Sequence, residues 1–203
     1  MIRFFKTPYL FRWMYPGRIW RLPSTEMIYL TFDDGPSPNL TPWILQFLRE
    51  KGIRATFFCI GENVSKYPHI LEEIRASGHG IGNHSMHHEK GSRVSKSAYL
   101  NSIEQTDRLV GSKLFRPPYG RLPFLLSRIV RKKHKIIMWS WLSYDYDKKV
   151  PINTIIEKAN RIAPGDILVL HDSPIIEDRV KELLPKLIDL LIKKGYKFGL
   201  ISA

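Results

Sequence analysis

The chain has one cysteine, Cys59, among 203 residues. That excludes an internal disulfide and a cysteine-based zinc knuckle. Set in an apolar run, Cys59 reads as a core residue. Long apolar runs are also missing, and no stretch is long enough to span a bilayer. Arg3, Lys6, Arg12, Arg18 and Arg21 interrupt the N-terminus, and no small-residue cleavage site follows. A standard signal peptide is therefore not expected, and the expected location is cytoplasmic or peripheral to the membrane. Acidic residues are scarce: 19 Asp and Glu stand against 32 Lys and Arg, for a net charge of +13. Such an excess suits an anionic partner. No nucleic-acid-binding motif accompanies it, so nucleic acid is not expected. The first strand lacks the glycine-rich turn of nucleotide-binding folds.

Residues 1–22 combine those five basic residues with Phe4, Phe5, Tyr9, Phe11, Trp13, Tyr15 and Trp20, and carry no acidic residue. Residues 1–26 are expected to pack across the open end of the domain, with contact to an anionic membrane surface through residues 1–22 as the alternative. From Met27 to Ala203 the length suits one catalytic domain with a sizeable core.

Strands and helices alternate from Met27 onward. Apolar, β-branched and aromatic runs predict strands at 27–32, 53–60, 79–83, 114–116, 135–141, 167–170 and 196–201. Helical spacing predicts helices from about Pro42 to Gly52, then over 68–76, 95–110, 122–133, 152–162 and 176–194. Repeated strand–helix units mean parallel strands covered by helices. Seven of them suggest an α/β fold, a distorted and incomplete (β/α)7 barrel.

The unusual polar residues fall after these strands. Asp33 and Asp34 follow the first, His84 and His88 the third, Arg116 ends the fourth, Asp145 follows the fifth, and His171 and Asp172 follow the sixth. In a parallel barrel the C-terminal strand ends converge on one mouth, where active sites are built. Neighbouring side chains on a strand point to opposite sides, so one of the paired aspartates can bind a cation while the other faces substrate. Two imidazoles four apart on a helical turn can share a metal, and with Asp34 the set becomes His₂-carboxylate with open positions. His87 either points away or competes with His88. Asp33 is placed to take a proton from water. His171 is placed to protonate a leaving group, with Asp145 to orient it. Arg116 supplies the opposite charge that keeps Asp33 ionised.

The segments TFDDG (31–35), HSMHH (84–88), RPPYG (116–120), WSWLSYDYD (139–147) and LVLHDS (168–173) together resemble the motifs of the polysaccharide deacetylases of carbohydrate esterase family four, over roughly Met27 to Ile201. The resemblance implies a seven-stranded distorted barrel and metal-dependent removal of acetyl groups from sugars. It implies Asp33 as base, Asp34, His84 and His88 as metal ligands, and Arg116 as partner of the base. Tyr119 would donate its backbone N–H to the oxyanion, Pro118 would form a groove wall, and His171 would be the acid tuned by Asp145. Zinc is the expected metal, with cobalt, nickel or iron compatible with the same ligands. The fourth motif departs from the family: Leu142 stands at the first aspartate position and Tyr146 at the final tryptophan. Val169 replaces the usual leucine of the acyl pocket. Acetyl specificity is thus less firmly implied than hydrolysis. The expected substrate is an acylated amino sugar of peptidoglycan or chitin-oligomer type. The alternatives are a lipid-linked amino sugar as substrate, or a catalytically silent carbohydrate-binding domain.

Overall fold

A computed structural model of the chain describes residues 3–202. The elements run α1 (Tyr9–Met14), β1 (Met27–Asp33), α2 (Leu40–Glu50), β2 (Thr56–Cys59), α3 (Gly61–Lys66), α4 (Pro68–Ala76), β3 (Gly80–Asn83) and α5 (Lys96–Val110). There follow β4 (Leu114–Phe115), α6 (Phe124–Val130), β5 (Lys135–Ile136), β6 (Trp141–Leu142), α7 (Ile152–Ala159), β7 (Ile167–His171), α8 (Glu177–Lys193) and β8 (Lys197–Phe198). Every strand pair is parallel, in the order β5-β4-β3-β2-β1-β7-β6, with β8 on the start of β1.

The predicted strand 135–141 is interrupted, and its two halves lie at opposite edges of the sheet. Lys135 and Ile136 pair with β4, whereas Trp141 and Leu142 pair with β7. Between them the backbone finds other partners. The carbonyls of Ile137 and Met138 accept from the Arg116 guanidinium, and Met138 N–H donates to Ile19. Counted as one interrupted strand, this segment makes seven parallel strand positions and an incomplete α/β barrel.

Two core layers hold the sheet. Residues alternating along β1 point to opposite faces; Leu30 and Phe32 join the main apolar cluster, and Phe32 stacks on Phe57 of β2 at 5.1 Å. α8 presents Val180, Leu183, Leu184, Leu187, Ile188 and Leu191 at helical spacing, all fully buried against that cluster. α5 is capped by the Ser95 hydroxyl, which accepts from Ala98 N–H, and closed by left-handed Gly111. α1 and α3 were not predicted; each spans only six residues, too short for the apolar period to register.

The segment before β1 reaches the barrel on its inner side. Lys6 bridges to Trp141, Ile19 to Ile137 and Arg21 to Asp166. Asp166 is fully buried and pairs with Lys6 at 2.8 Å and Arg21 at 2.9 Å.

Candidate active site

The loop after β1 is the scaffold of the site. Asp34 stands in the left-handed region at φ 79°, which Asp tolerates better than most residues. Its carbonyl accepts from Asn63 Nδ2 at 2.7 Å, and the Gly35 carbonyl accepts from Ile60 N–H at 2.9 Å. Beneath the turn lies Asp172, whose Oδ2 accepts from Thr41 Oγ1 at 2.6 Å, while Thr41 also accepts from Ser37 N–H. Burial raises the Asp172 carboxyl to about 7, helped by the charges of Asp34 and Asp33 and opposed by the Thr41 hydrogen bond. No Cβ fits at position 35, because it would fall inside that carboxyl group.

Asp33 is almost fully buried and accepts from Arg116 Nη1 through Oδ1 at 2.6 Å. Arg116 has no solvent exposure. It spends its other donors on Thr31 Oγ1 and on the carbonyls of Ile137 and Met138, and lies 4.0 Å from the centre of the Phe58 ring. The base candidate therefore has one oxygen locked by a buried cation, and its side chain borders open space.

His84 and His88 both turn Nε2 toward Asp34 Oδ1, at 3.5 and 3.2 Å. Candidate ligand atoms of the three residues all lie within 4.8 Å of one another. Three observations fit this set to a cation. Asp34 Oδ1 is buried without a hydrogen-bond donor. The His84 Nδ1 sits 2.8 Å from the Arg116 carbonyl, an acceptor only, so the proton belongs on Nδ1 and the Nε2 lone pair is left free. Burial, then the neighbouring His84, lower the His88 pKa against the opposing charges of Asp34 and Asp33, which favours a neutral His88 imidazole. Burial works to raise the Asp34 carboxyl, but the histidines facing it, His84, His171 and His88, outweigh burial and hold it low. The donor set suits a borderline divalent ion.

The histidine pair does not lie on a helical turn as predicted. Residues 84–88 form a loop in which Ser85 (φ 64°) and His88 (φ 54°) are left-handed. Hydrogen bonds from Ser85 N–H to Asn83 Oδ1 and from Met86 N–H to Ser102 Oγ replace helical ones. His87 points away, its Nδ1 3.3 Å from Glu62 Oε2.

On the other wall, His171 Nδ1 lies 2.7 Å from Asp145 Oδ1, and the His171 backbone N–H donates to Asp145 Oδ2 at 2.7 Å. Burial alone would lower the His171 pKa. The charge and hydrogen bond of Asp145, with Asp34 and Asp33 behind it, override burial and raise it to about 9. Tyr146 packs edge-on to the same imidazole at 5.1 Å.

These groups share one cavity of about 360 Å³, lined among others by Asp33, Asp34, His84, His88, Tyr119, Tyr146, Val169 and His171. Arg116 and Asp145 stand behind the lining. Pro117 is on the wall and Pro118 is buried next to it. Tyr119 is left-handed at φ 58°, half exposed, and 4.5 Å from the His88 ring. Sequence reasoning gave no cavity role to Lys90, Arg121 and Trp139, which also line it. Arg121 directly follows one motif and Lys90 falls two residues beyond another, the one signal available for them, and Lys90 Nζ sits 4.4 Å over the Tyr119 ring.

A polysaccharide deacetylase family model matches residues 22–135. The chain is 33% identical over 200 residues to a peptidoglycan-N-acetylglucosamine deacetylase of Bacillus cereus, covering 90% of both chains. It is 33% identical over 157 residues to a chitooligosaccharide deacetylase of Azorhizobium caulinodans, covering 73% of this chain and 75% of that one. The crystal structure of the Bc1960 peptidoglycan N-acetylglucosamine deacetylase superposes with a TM-score of 0.87 at 31% identity, over 96% of this chain and 95% of that one. With a family model over more than half its length and a relative this similar from end to end, the chain belongs to the polysaccharide deacetylase family.

Proposed function

We propose that the protein is a metal-dependent N-deacetylase of amino-sugar polymers or oligomers, of peptidoglycan or chitin-oligomer type. The observation that carries this reading is the meeting, in one cavity of about 360 Å³, of an orphaned carboxylate with two converging imidazoles, a cation-locked carboxylate and a carboxylate-backed histidine. The relatives' activity on peptidoglycan and chito-oligosaccharides supports the substrate class.

Asp34, His84 and His88 would hold the cation, zinc being favoured by the His₂-carboxylate set and cobalt, nickel or iron accommodated by it. When bound, the ion would supply Lewis-acid polarisation of the acyl carbonyl and a more acidic water. Asp33 takes the proton of the attacking water through its unlocked oxygen while Arg116 fixes the carboxylate's orientation. Tyr119, on the wall of the same cavity, would offer its backbone N–H to the charge that develops on the carbonyl oxygen. His171, protonated at neutral pH because of Asp145, gives its proton to the departing sugar amine. Water and amide become carboxylate and ammonium, and the proton collected by Asp33 makes up for the one that His171 gives away. Tyr146 and Val169, with Leu142 and Trp139, bound the space around His171 where a small acyl group would sit.

The test is acetate release from an N-acetylglucosamine oligomer by chelator-treated protein before and after reloading with zinc or cobalt. Release only after reloading is the expected result; equal release from the stripped protein would overturn the metal assignment. A second reading is a deacylase of a lipid-linked amino sugar. It draws on a second cavity of about 500 Å³, lined by N-terminal Phe4, Phe11, Tyr15 and Trp20, which shares Tyr119, Arg121, Trp139 and Leu142 with the first. Metal-loaded protein that ignores the oligomer but deacylates a lipid-linked amino sugar would select it. Chito-oligomer binding with neither activity would instead indicate a silent binding domain.

A further inference from the structure

The segment before β1 has two sides. Inward, it is pinned: Thr7 N–H donates to Ser140, Ile19 N–H to Ile136, and Arg18 Nη2 to the Leu122 carbonyl at 2.6 Å. Outward, α1 has no buried residue at all. Tyr9, Leu10, Trp13 and Met14 are exposed, Trp13 at 81%. Phe124 and Leu125, which open α6, are exposed at 67% and 68%. The two groups adjoin, because Tyr15, Pro16 and Arg18 share a cavity of about 160 Å³ with Phe124, Arg128 and Arg131. Arg131 Nη1 also donates to the Pro16 carbonyl at 3.3 Å. Scattered exposed apolar side chains are ordinary, but a joined set of large ones, including a nearly bare tryptophan on a pinned segment, is not.

The charge around this face has one sign. Neither residues 1–25 nor residues 108–144 contain an acidic side chain. Arg121, Arg128 and Arg131 are exposed, and Arg18 lines the adjoining cavity. Acids from elsewhere that meet these segments are paired there: Asp147 with Arg3, Asp166 with Lys6 and Arg21, Asp107 with His134 and Glu104 with Arg108.

We infer that the α1–α6 face docks on an anionic lipid surface, its aromatic and aliphatic side chains entering the headgroup boundary and its arginines lying among the phosphates. Charge complementarity selects this occupant. A two-fold contact with a second copy would press two cationic clusters together. A soluble anionic polymer would satisfy the arginines but leave Trp13, Phe124 and Leu125 bare. The inference does not depend on the reaction proposed above. Its geometric consequence is a catalytic cavity near the lipid surface, since the aromatic cavity of about 500 Å³ spans from Phe11 and Tyr15 to Tyr119 and Trp139.

Co-sedimentation of the full chain with phosphatidylcholine vesicles, with and without phosphatidylglycerol, tests the proposal. The expected result is partitioning at least tenfold greater with phosphatidylglycerol, weakened by salt. Trp13→Glu and Leu125→Glu are each expected to lower it at least tenfold while leaving the melting temperature unchanged, and Arg128→Glu to lower only the phosphatidylglycerol-dependent part. Absence of phosphatidylglycerol-dependent binding would overturn the proposal, as would undiminished binding in both apolar-to-Glu variants. So would a dimer in sedimentation velocity that Trp13→Glu dissolves without any vesicle binding, since a second copy would then own the face.

Discussion

Arg116 shows how one buried residue can do three things. It locks Asp33 through a 2.6 Å ion pair, satisfies the carbonyls of Ile137 and Met138, and offers its own carbonyl to His84 Nδ1. A guanidinium suits this because five donors in a fixed plane reach several acceptors at once. Asp33→Asn keeps an acceptor for Arg116 but removes the proposed base. It is expected to lower kcat by about 10²–10⁴-fold with metal content unchanged, read by turnover and metal analysis. Full activity in that variant would remove Asp33 from the role. His171 makes a pH prediction. Its pKa is raised to about 9, so the proton it is proposed to give the amine is present through neutrality, and kcat should fall on a basic limb near that pH. Asp145→Asn should move that limb toward acid by a unit or more, as a pH–kcat profile would record. The same shift is a stability term. Because the folded value lies above the unfolded one, its contribution is fully present below about pH 6.5 and is lost as pH rises through about 9.

At the scale of elements, the β1–α2 connection matters most. Asp33 ends a strand buried along nearly its whole length, and the next residue turns left-handed, so two adjacent carboxylates face different groups. The turn closes over Asp172, whose carboxyl is held by Thr41, the second residue of α2. Gly35 is required there by the close approach of that carboxyl. Gly35→Ala should overpack the turn, costing about 1–3 kcal/mol and shifting both aspartates. A lowered denaturant midpoint together with at least tenfold lower kcat is the expected pair of results; an unchanged midpoint would show that the turn yields. The 84–88 loop makes the same point differently. Its left-handed Ser85 and His88 bring the two imidazoles together without a helix, stabilised by Asn83 and Ser102 on flanking elements.

Across the whole molecule, the N-terminal segment completes what the barrel leaves open. Its backbone bridges the interrupted Lys135–Leu142 strand at Lys6 and Ile19, and its cations neutralise Asp166, which has no solvent exposure. Asp166 also accepts from Ser140 Oγ and Ala163 N–H. Asp166→Ala should therefore release the segment from both strand halves, at a cost of about 2–3 kcal/mol given that Lys6 and Arg21 remain partly solvated. The expected signature is a lower melting temperature with faster proteolysis within residues 1–22. Equal proteolysis in wild type and variant would mean that the other bridges suffice. Among the described residues no helix is long and apolar enough to cross a membrane.

Much of this was written locally. Strand–helix alternation follows from the period of burial along the chain, so the parallel α/β barrel was legible from Met27 onward. The gathering of the candidate site residues was legible too, because Asp33, Asp34, His84, His88, Arg116, Asp145 and His171 fall at or just beyond strand ends, where a parallel sheet brings side chains together. What the tertiary structure alone decided concerns partners distant in sequence. The apolar run 135–141 has strand character throughout, yet it breaks because Arg116, Ile19, β4 and β7 compete for its backbone groups. No local pattern records that competition. Nor does one tell which side of the aromatic N-terminus turns inward, since Phe5 and Trp20 pack on the core through partners far along the chain while Trp13 stays bare. Periodicity reports how much of a segment is buried, and only the assembled fold reports against what.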